Sequence, residues 1–251
     1  MNFVGIIPAR YASTRFPGKP LVEVGGKMMI ERVYEQVSKL LADVYVATDD
    51  ERIETAVKSF GGNVIMTSPN HQSGTDRIAE AVAKISGQGK SFDVAINIQG
   101  DEPFISPSQI KLLMDCFSDD LTQIATLVKK IENDETLFNA NSPKVVLNTK
   151  SEAITFSRST IPHIRGKEQK DWLKAHTFYK HIGIYAFKVE VLNAVTKLPQ
   201  SSLELAESLE QLRWIENGYK IKVAVTDEEG IAIDTPLDLE RANEWFASRN
   251  K

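Results

Sequence analysis

Cysteine is nearly absent from this sequence, and long apolar runs are missing altogether. The 251 residues contain a single cysteine, Cys116, so neither an intramolecular disulfide nor a multi-cysteine metal cluster is available. Because Cys116 falls between Leu113 and Phe117 in a helical pattern, we expect an inert thiol in the core. No apolar stretch approaches the about 18 residues that a transmembrane helix requires, and the sequence does not start like a signal peptide.

An excess of positive charge is also missing. Thirty Lys and Arg residues stand against 34 Asp and Glu residues, which gives a net charge of -4 and no sequence-wide basic field for nucleic acid. Hydrophobic residues make up 42% and charged residues 25%, as in ordinary globular proteins. We therefore expect a cytoplasmic globular protein with no membrane and no nucleic-acid partner, and an enzyme is the expected class.

Short apolar strands alternate with amphipathic helices through the first half of the sequence. Strands are predicted at residues 3–8, 44–48, 64–66 and 92–98, and helices at 30–41, 53–60, 78–85 and from 106 onward. This alternation predicts an α/β fold with a doubly wound, mostly parallel sheet and helices on both faces.

The second half is less regular. Strands are predicted at 124–128, 145–147, 153–156, 179–187 and 221–225, and helices through residues 205–212 and from 235 to 246. The charged segment 166–174 is predicted to be a mobile loop. We interpret residues 1–251 as one α/β domain with a smaller mixed or antiparallel insertion at about 145–215.

The loop after the first predicted strand carries three cations among small residues. Arg10, Arg15 and Lys19 are four or five residues apart. Guanidinium groups bind phosphate oxygens in pairs and lysine supplies a compact charge, so the loop predicts a polyphosphate site. A solvated basic loop is the competing interpretation. The loop contains neither a Walker lysine loop nor the dinucleotide glycine fingerprint, which excludes those two phosphate-binding solutions.

This loop and a series of further motifs together resemble the sugar-acid cytidylyltransferases, and within them the enzymes acting on 3-deoxy-manno-octulosonate (KDO). The matching segments are residues 7–21, 25–27, ATDD at 47–50, HQSGTDR at 71–77, NIQGDEP at 97–103, FSR at 156–158, HIGIY at 181–185, LEQLR at 209–213 and DTPLD at 234–238. Met28 departs from the family, which commonly has proline there.

The resemblance implies a nucleotide-diphospho-sugar transferase-like, Rossmann-like fold. It also implies a Mg²⁺-dependent homodimer that joins CTP and KDO, releases pyrophosphate and so activates KDO for lipopolysaccharide synthesis. The implied catalytic residues are Arg10, Lys19, Asp101 and Asp234, with Asp101 and Asp234 as the Mg²⁺ ligands. The implied nucleotide contacts are Pro8, Ala9, Arg10, Ser13, Arg15, Lys19, Gln72, Ser73, Gly74, Arg77 and Gln99. The implied contacts to KDO are Gln99, Arg158, Arg165, His181, Tyr185, Glu210 and Gln211.

These assignments have competing interpretations. Asp101 and Asp234 are each expected to follow a strand and precede a helix, and the competing interpretation makes Asp101 a cap of its turn and Asp234 a cap of the last helix. Without the resemblance, His181 reads as a structural histidine, and Glu210 and Gln211 as the polar face of a helix. The alternative functions are transfer to an 8-amino sugar acid or to sialic acid, and a catalytically silent nucleotide-binding regulator.

Overall fold

The parallel sheet predicted for the first half of the chain forms within the first of two structural units. The computed structural model describes residues 1–12, 16–230 and 232–249, except the side chains of residues 248 and 249. The first unit comprises residues 1–111 and 230–251, and the second comprises residues 112–229. A single domain with an insertion at about 145–215 stays a prediction.

The described residues contain eleven strands and ten α-helices. The strands are β1 (Phe3–Ala9), β2 (Glu23–Val24), β3 (Lys27–Met28), β4 (Val44–Thr48), β5 (Val64–Met66), β6 (Val94–Asn97), β7 (Ile124–Lys130), β8 (Lys144–Leu147), β9 (Ala153–Ser157), β10 (Tyr179–Lys188) and β11 (Ile221–Val225). The helices are α1 (Met29–Ser38), α2 (Glu51–Ser59), α3 (Gly74–Gly87), α4 (Pro107–Cys116), α5 (Asp134–Phe138), α6 (Trp172–Ala175), α7 (Val189–Val195), α8 (Ser202–Glu207), α9 (Glu210–Glu216) and α10 (Pro236–Arg249).

In the first unit, four strands pair in parallel in the order β6-β1-β4-β5. Ile6 of β1 pairs with Tyr45 on one side and with Asn97 on the other. Val4, Ile6 and Ile7 have no exposed surface, as expected for a parallel strand that is covered on both faces. Because these strands are parallel, their carboxyl ends meet at one edge of the sheet, where ligands bind in folds of this class.

The second unit has the mixed arrangement that the sequence predicts. β7 pairs antiparallel with β10 and parallel with β11, while β8 pairs antiparallel with both β9 and β10. Together with the parallel strands of the first unit, this arrangement confirms the predicted α/β fold with its mostly parallel sheet and smaller antiparallel part.

Two local predictions for the second unit need correction. Segment 166–174 contains a 3-10 turn at Gln169–Asp171 and the start of α6, because Trp172 is buried in an apolar cluster with Phe178. The helix predicted through residues 205–212 is two helices, α8 and α9, because Ser208 adopts a left-handed conformation with φ of 50° between them.

Two features expected from the sequence bear on reactivity and on membranes. Cys116 is partly buried, and burial raises the pKa of its thiol to about 11, so the reactive thiolate is scarce at neutral pH. Within the described ranges, none of the helices combines the length and the apolar character needed to cross a membrane.

Candidate active site

Lys19 joins the two aspartates that the sequence predicts as a metal pair. Its Nζ donates to Asp101 Oδ2 at 2.7 Å and to Asp234 Oδ1 at 3.0 Å. Asp101 lies 82 positions and Asp234 lies 215 positions from Lys19 along the chain. The first unit therefore brings together three of the four residues predicted to be catalytic.

Local backbone contacts hold this cluster in place. Gly18 has a φ of +73°, which glycine adopts at little cost, and its N–H donates to the Tyr11 carbonyl at 2.9 Å. The bond joins residues 11 and 18 and sets the position of Lys19 in the 3-10 turn Lys19–Leu21. On the other side, the N–H of Ile233 donates to the Asp101 carbonyl at 2.9 Å, which places the neighbouring Asp234 beside Asp101.

Asp234 differs from its sequence-based description in one respect. β11 ends at Val225, and the described residues between it and α10 contain no strand, so Asp234 does not directly follow a strand. Nor does its side chain cap α10. Thr235 Oγ1 accepts from the N–H of Asp238, whose carboxylate in turn accepts from the Thr235 N–H at 2.9 Å. This capping pair leaves the Asp234 carboxylate to bind Lys19, which removes the helix-cap interpretation.

The charges in the cluster suit a divalent cation. Burial lowers the pKa of Lys19, but its bonds with Asp101 and Asp234 outweigh that effect, so the pKa is raised above its ordinary value of 10.5. Asp101 and Asp234 offer hard carboxylate oxygens, and no described group of three or more His, Cys, Asp or Glu residues surrounds a common point. A Mg²⁺ ion held by two carboxylates would take its other ligands from phosphate and water, which is the arrangement magnesium prefers.

A cavity of about 400 Å³ in the first unit opens beside this cluster. Asp101 lines this cavity. So do all but one of the described residues predicted to bind nucleotide, namely Pro8, Ala9, Arg10, Lys19, Gln72, Gly74, Arg77 and Gln99. Gly100 is needed there, because a Cβ at this position would lie only 2.9 Å from the Pro8 carbonyl oxygen. A larger cavity of about 860 Å³ in the second unit contains none of the predicted site residues in its lining.

The predicted nucleotide residue outside the cavity lining, Ser73, caps α3. Its Oγ accepts from the Asp76 N–H at 3.1 Å, and the Asp76 carboxylate accepts from the Ser73 N–H at 3.2 Å. This capping box fixes the first turn of α3, where Gly74 lines the cavity. Ser13 and Arg15, also predicted to bind nucleotide, lie outside the described residues.

Glu80 is a supporting residue that the sequence did not reveal. Arg10 Nη2 donates to the carbonyl of His71, and the imidazole of His71 pairs with Glu80. Glu80 also accepts from the Ser68 N–H at 2.8 Å and pairs with Lys84 at 2.8 Å. Burial raises the pKa of Glu80, but these partners outweigh it and lower the pKa to about 2. The only sequence signal was the four-residue spacing of Glu80 and Lys84, which is common on exposed helices.

Arg77 is buried and contacts two residues outside the cavity lining, Thr67 and Asp49. Its side chain has no exposed surface, although the residue lines the cavity. Nη1 donates to Thr67 Oγ1 at 2.6 Å and lies 3.2 Å from Asp49 Oδ1. Neither Asp49 nor Thr67 was predicted as a site residue.

In the second unit, the two arginines predicted to bind the sugar acid differ in environment. The guanidinium of Arg158 donates to three carbonyls, those of Glu207 at 2.6 Å, Ala140 at 3.2 Å and Ser208 at 3.4 Å. Its backbone N–H also donates to the Glu207 carboxylate at 2.9 Å. Arg165 is exposed. The guanidinium of Arg158 therefore binds backbone carbonyls of the protein in this structure, whereas Arg165 faces solvent.

His181 and Tyr185 are neutral groups on β10. His181 Nε2 lies 3.1 Å from Thr126 Oγ1, and its ring meets Phe156 edge-on with centroids 5.1 Å apart. Burial lowers the pKa of His181 to about 3, and burial raises the pKa of Tyr185. Burial thus favours the neutral imidazole of His181, which can contact a sugar through a hydrogen bond or by packing.

Glu210 and Gln211 lie in the first turn of α9. Glu210 Oε1 accepts from Arg213 Nη2 at 2.8 Å, and Arg213 Nε lies 3.2 Å from the Glu204 carboxylate. Gln211 is 5% exposed, and its Nε2 has no acceptor among the described residues. A buried amide N–H without an acceptor is uncommon and suits a ligand with hydroxyl groups.

Comparison with known proteins defines the class first. A family model described as Cytidylyltransferase matches residues 4–221, so the chain belongs to the cytidylyltransferases. Two bacterial proteins named 3-deoxy-manno-octulosonate cytidylyltransferase are similar over essentially the whole chain. The Parabacteroides distasonis protein is 63% identical and the alignment covers 99% of this chain and 100% of that protein. The Bacteroides thetaiotaomicron protein is 64% identical and 100% of both chains is covered. The chain therefore belongs to the 3-deoxy-manno-octulosonate cytidylyltransferase family, which confirms the resemblance seen in the sequence.

Solved structures agree with this membership. The structure of CMP:2-keto-3-deoxy-manno-octonic acid synthetase complexed with CTP has a TM-score of 0.91 at 40% identity, covering 99% of this chain and 100% of that chain. The 4-diphosphocytidyl-2C-methyl-D-erythritol synthase of Anaerococcus prevotii has a TM-score of 0.62 at 14% identity, covering 98% of this chain and 99% of that chain, and shows the fold alone.

Proposed function

We propose that this protein joins CTP and KDO to give CMP-KDO and pyrophosphate in a Mg²⁺-dependent reaction, activating KDO for lipopolysaccharide synthesis. The observation that carries the proposal is the binding of one lysine, Lys19, to both Asp101 and Asp234 at the wall of a nucleotide-sized cavity. The names of the relatives and the CTP-bound neighbour support both the nucleotide and the sugar acid.

The chemistry sets the demands on the site. The anomeric hydroxyl oxygen of KDO attacks the α-phosphorus of CTP, and a new P–O bond forms. The bond between the α-phosphorus and the oxygen bridging to the β-phosphorus breaks, pyrophosphate leaves with that oxygen, and the hydroxyl proton passes to water. Such a transfer requires neutralisation of the triphosphate charge and alignment of the attacking oxygen.

Side chains of the first unit meet the charge demand. Lys19 and Arg10 both line the cavity, and a guanidinium and an ammonium there neutralise phosphate oxygens in complementary ways. Arg10 is oriented by its bond to the His71 carbonyl. Preorganised charges of this kind stabilise the transition state more than the substrate.

Asp101 and Asp234 are the residues that would hold Mg²⁺. When bound, the ion would offset triphosphate charge and lower the pKa of the attacking hydroxyl, so that no side-chain base is required. Lys19 keeps the two carboxylates close together and offsets their mutual repulsion.

Base selection is assigned to the start of α3. Gln72 and Gly74 line the cavity together with Pro8, and the capping box holds this turn. A site built to hydrogen-bond one base edge rejects bases that leave its polar groups unpaired, so CTP is expected to be used in preference to UTP and ATP.

A pyrophosphate-release assay tests the proposal. CTP with KDO and Mg²⁺ is expected to release pyrophosphate, and EDTA is expected to stop the release. Replacing KDO by an 8-amino sugar acid or by sialic acid tests the alternative acceptors. Binding of CTP without release of pyrophosphate, for every sugar acid offered, would instead identify a nucleotide-binding regulator.

The proposal includes a cytoplasmic location and a homodimeric state for the protein. Their support is the family membership of the chain. Analytical ultracentrifugation across a range of protein concentrations measures the oligomeric state, and a monomer at every concentration would contradict the homodimer.

A further inference from the structure

Arg77 is a fully buried cation whose protein partners lie outside the nucleotide cavity. Its guanidinium donates through Nη1 to Thr67 Oγ1 at 2.6 Å and pairs with Asp49 Oδ1 at 3.2 Å. A charged group is tolerated in the interior only when it is paired and hydrogen-bonded, so these two contacts determine where Arg77 can sit.

Contacts with the end of β4 orient the Thr67 hydroxyl toward Arg77. Its hydroxyl donates to the Thr48 carbonyl at 3.2 Å, and its N–H donates to the same carbonyl at 2.8 Å. Because the hydroxyl proton is used on Thr48, the oxygen presents a lone pair to Arg77. Thr48 ends β4 and Thr67 follows β5, so the guanidinium ties α3 to the carboxyl ends of two strands.

The other nitrogens of Arg77 point to a use beyond stability. Nε and Nη2 are buried, and the described residues supply no acceptor for either. Native proteins satisfy nearly all buried donors, so each exception calls for an explanation, such as a functional role or a bound ion. Arg77 also lines the cavity with Gly74 and Arg10, and the positive charge of Arg10 contributes to its electrostatic environment.

We infer that Asp49 and Thr67 are positioning residues for CTP binding. They fix Arg77 and, through it, the start of α3, where Ser73 caps the helix and Gly74 lines the cavity. Among the described residues, the cavity lining includes Arg77 but neither Asp49 nor Thr67, so both act through Arg77. The inference rests on the proposed function and adds two residues to the apparatus that selects the nucleotide.

Thr67 offers a substitution pair that separates its hydroxyl from its shape. Thr67→Val keeps the branched side chain and removes the acceptor, while Thr67→Ser keeps the acceptor. We expect Thr67→Val to weaken CTP binding about tenfold by calorimetry, since it removes a hydrogen bond to a charged group. Thr67→Ser is expected to restore the affinity to within about threefold. Turnover at saturating CTP and the KM for KDO are expected to stay near wild type.

Two further variants keep the test decisive. Asp49→Asn removes the charge without removing bulk, and it is expected to weaken CTP binding in the same direction even if Thr67→Val folds poorly. Thr122→Val is the matched control in the second unit. Thr122 is also buried, and its hydroxyl donates to the Cys116 carbonyl at 2.8 Å, so this change is expected to lower the melting temperature without altering CTP affinity.

The outcomes separate this inference from the proposed function. Wild-type CTP affinity in a folded Thr67→Val protein overturns the inference and leaves the proposed function intact. If CTP affinity falls and the KM for KDO rises by the same factor, the inference is overturned as well, because such a result indicates general damage to the protein. A selective loss of CTP affinity in a protein that never releases pyrophosphate supports the inference and contradicts the proposed function.

Discussion

The Asp234 carboxylate lies 3.0 Å from the amino group of Lys19, 215 positions earlier in the chain. Asp238, four residues beyond Asp234, forms the capping pair of α10 with Thr235. The same amino group binds Asp101 at 2.7 Å. The two aspartates thus share Lys19 as a counter-ion. Within residues 234–238, Asp234 therefore tests the role of charge and Asp238 tests the role of helix capping.

Asp101→Asn and Asp234→Asn are each expected to reduce turnover about a hundredfold or more while leaving the protein folded. The reason is charge, because a neutral amide keeps the shape of the side chain but compensates Mg²⁺ far less well. Pyrophosphate release measured over a Mg²⁺ titration checks this expectation. The double variant is expected to lose little more than either single one, since groups that act as a unit are not additive.

Asp238→Asn is the control for that experiment. It makes the same chemical change four residues away, at the third residue of α10, where the side-chain oxygen accepts from the Thr235 N–H and an asparagine oxygen can accept in the same way. We expect near-normal turnover and a small change in melting temperature. Near-normal turnover in Asp101→Asn or Asp234→Asn would rule out that residue as an essential metal ligand.

Lys19→Met is expected to change catalysis and metal binding in opposite directions. Turnover is expected to fall about a hundredfold, because a preorganised charge on the triphosphate is lost. Mn²⁺, used as a paramagnetic probe, is expected to bind more tightly in the absence of nucleotide, because the two carboxylates then lack their shared counter-ion. Electron paramagnetic resonance of free Mn²⁺ measures the affinity without any turnover.

Lys27→Met provides the matched lysine substitution. Lys27 is also paired with two carboxylates, those of Glu31 and Glu35, but its side chain is 43% exposed against 14% for Lys19. Exposed ion pairs contribute little, so both turnover and Mn²⁺ affinity are expected to remain at the wild-type level. If Lys19→Met behaves like Lys27→Met, Lys19 is an ordinary surface lysine.

Periodicity predicted the fold more fully than it predicted the site. The strands Val44–Thr48 and Val64–Met66 have the predicted bounds, because each coincides with a short apolar run. The proximity of Asp101 and Asp234 was expected from motifs, and the shared contact with Lys19 supplies its physical basis.

What the sequence did not predict are side-chain contacts between distant elements. Asp49 and Thr67 lie 28 and 10 positions before Arg77. Asp49 belongs to the ATDD motif at 47–50 but received no role there, and nothing in the local pattern of Thr67 distinguishes it from other strand-end polar residues. The break at Ser208 also escaped prediction, because a left-handed serine is uncommon and periodicity carries no signal for it. Such features depend on packing, which local patterns do not encode.

Acid is expected to destabilise the protein partly through His181. Burial holds the pKa of folded His181 at about 3, below the ordinary value of 6.5. Between these two values the unfolded chain binds the proton and the folded chain does not, so stability falls as the pH falls, by at most about 1.4 kcal/mol per pH unit. His181→Asn is expected to flatten this slope in urea unfolding measured from pH 4.5 to 7.5.

His176→Asn is the control for the acid measurement. His176 is exposed and belongs to the same unit, so its replacement is expected to retain the wild-type slope between pH 4.5 and 6.5. An unchanged slope in His181→Asn would show that other groups account for the acid sensitivity.

Glu80→Gln is expected to weaken CTP binding several-fold with a smaller effect on turnover at saturating CTP. Glu80 holds both the Ser68 N–H and the His71 side chain, and the His71 carbonyl accepts from Arg10, so the carboxylate orients a phosphate-binding cation indirectly. The pKa of Glu80 is lowered to about 2 from 4.5, so its stabilising effect is complete above pH 4.5 and is lost as the pH falls toward 2. Lys84→Met removes another partner of Glu80 on the exposed side of α3 and is expected to leave CTP affinity unchanged. Calorimetric titration of CTP at pH 7.5 compares the variants, and equal affinities in Glu80→Gln and wild type would show that Arg10 is positioned without Glu80.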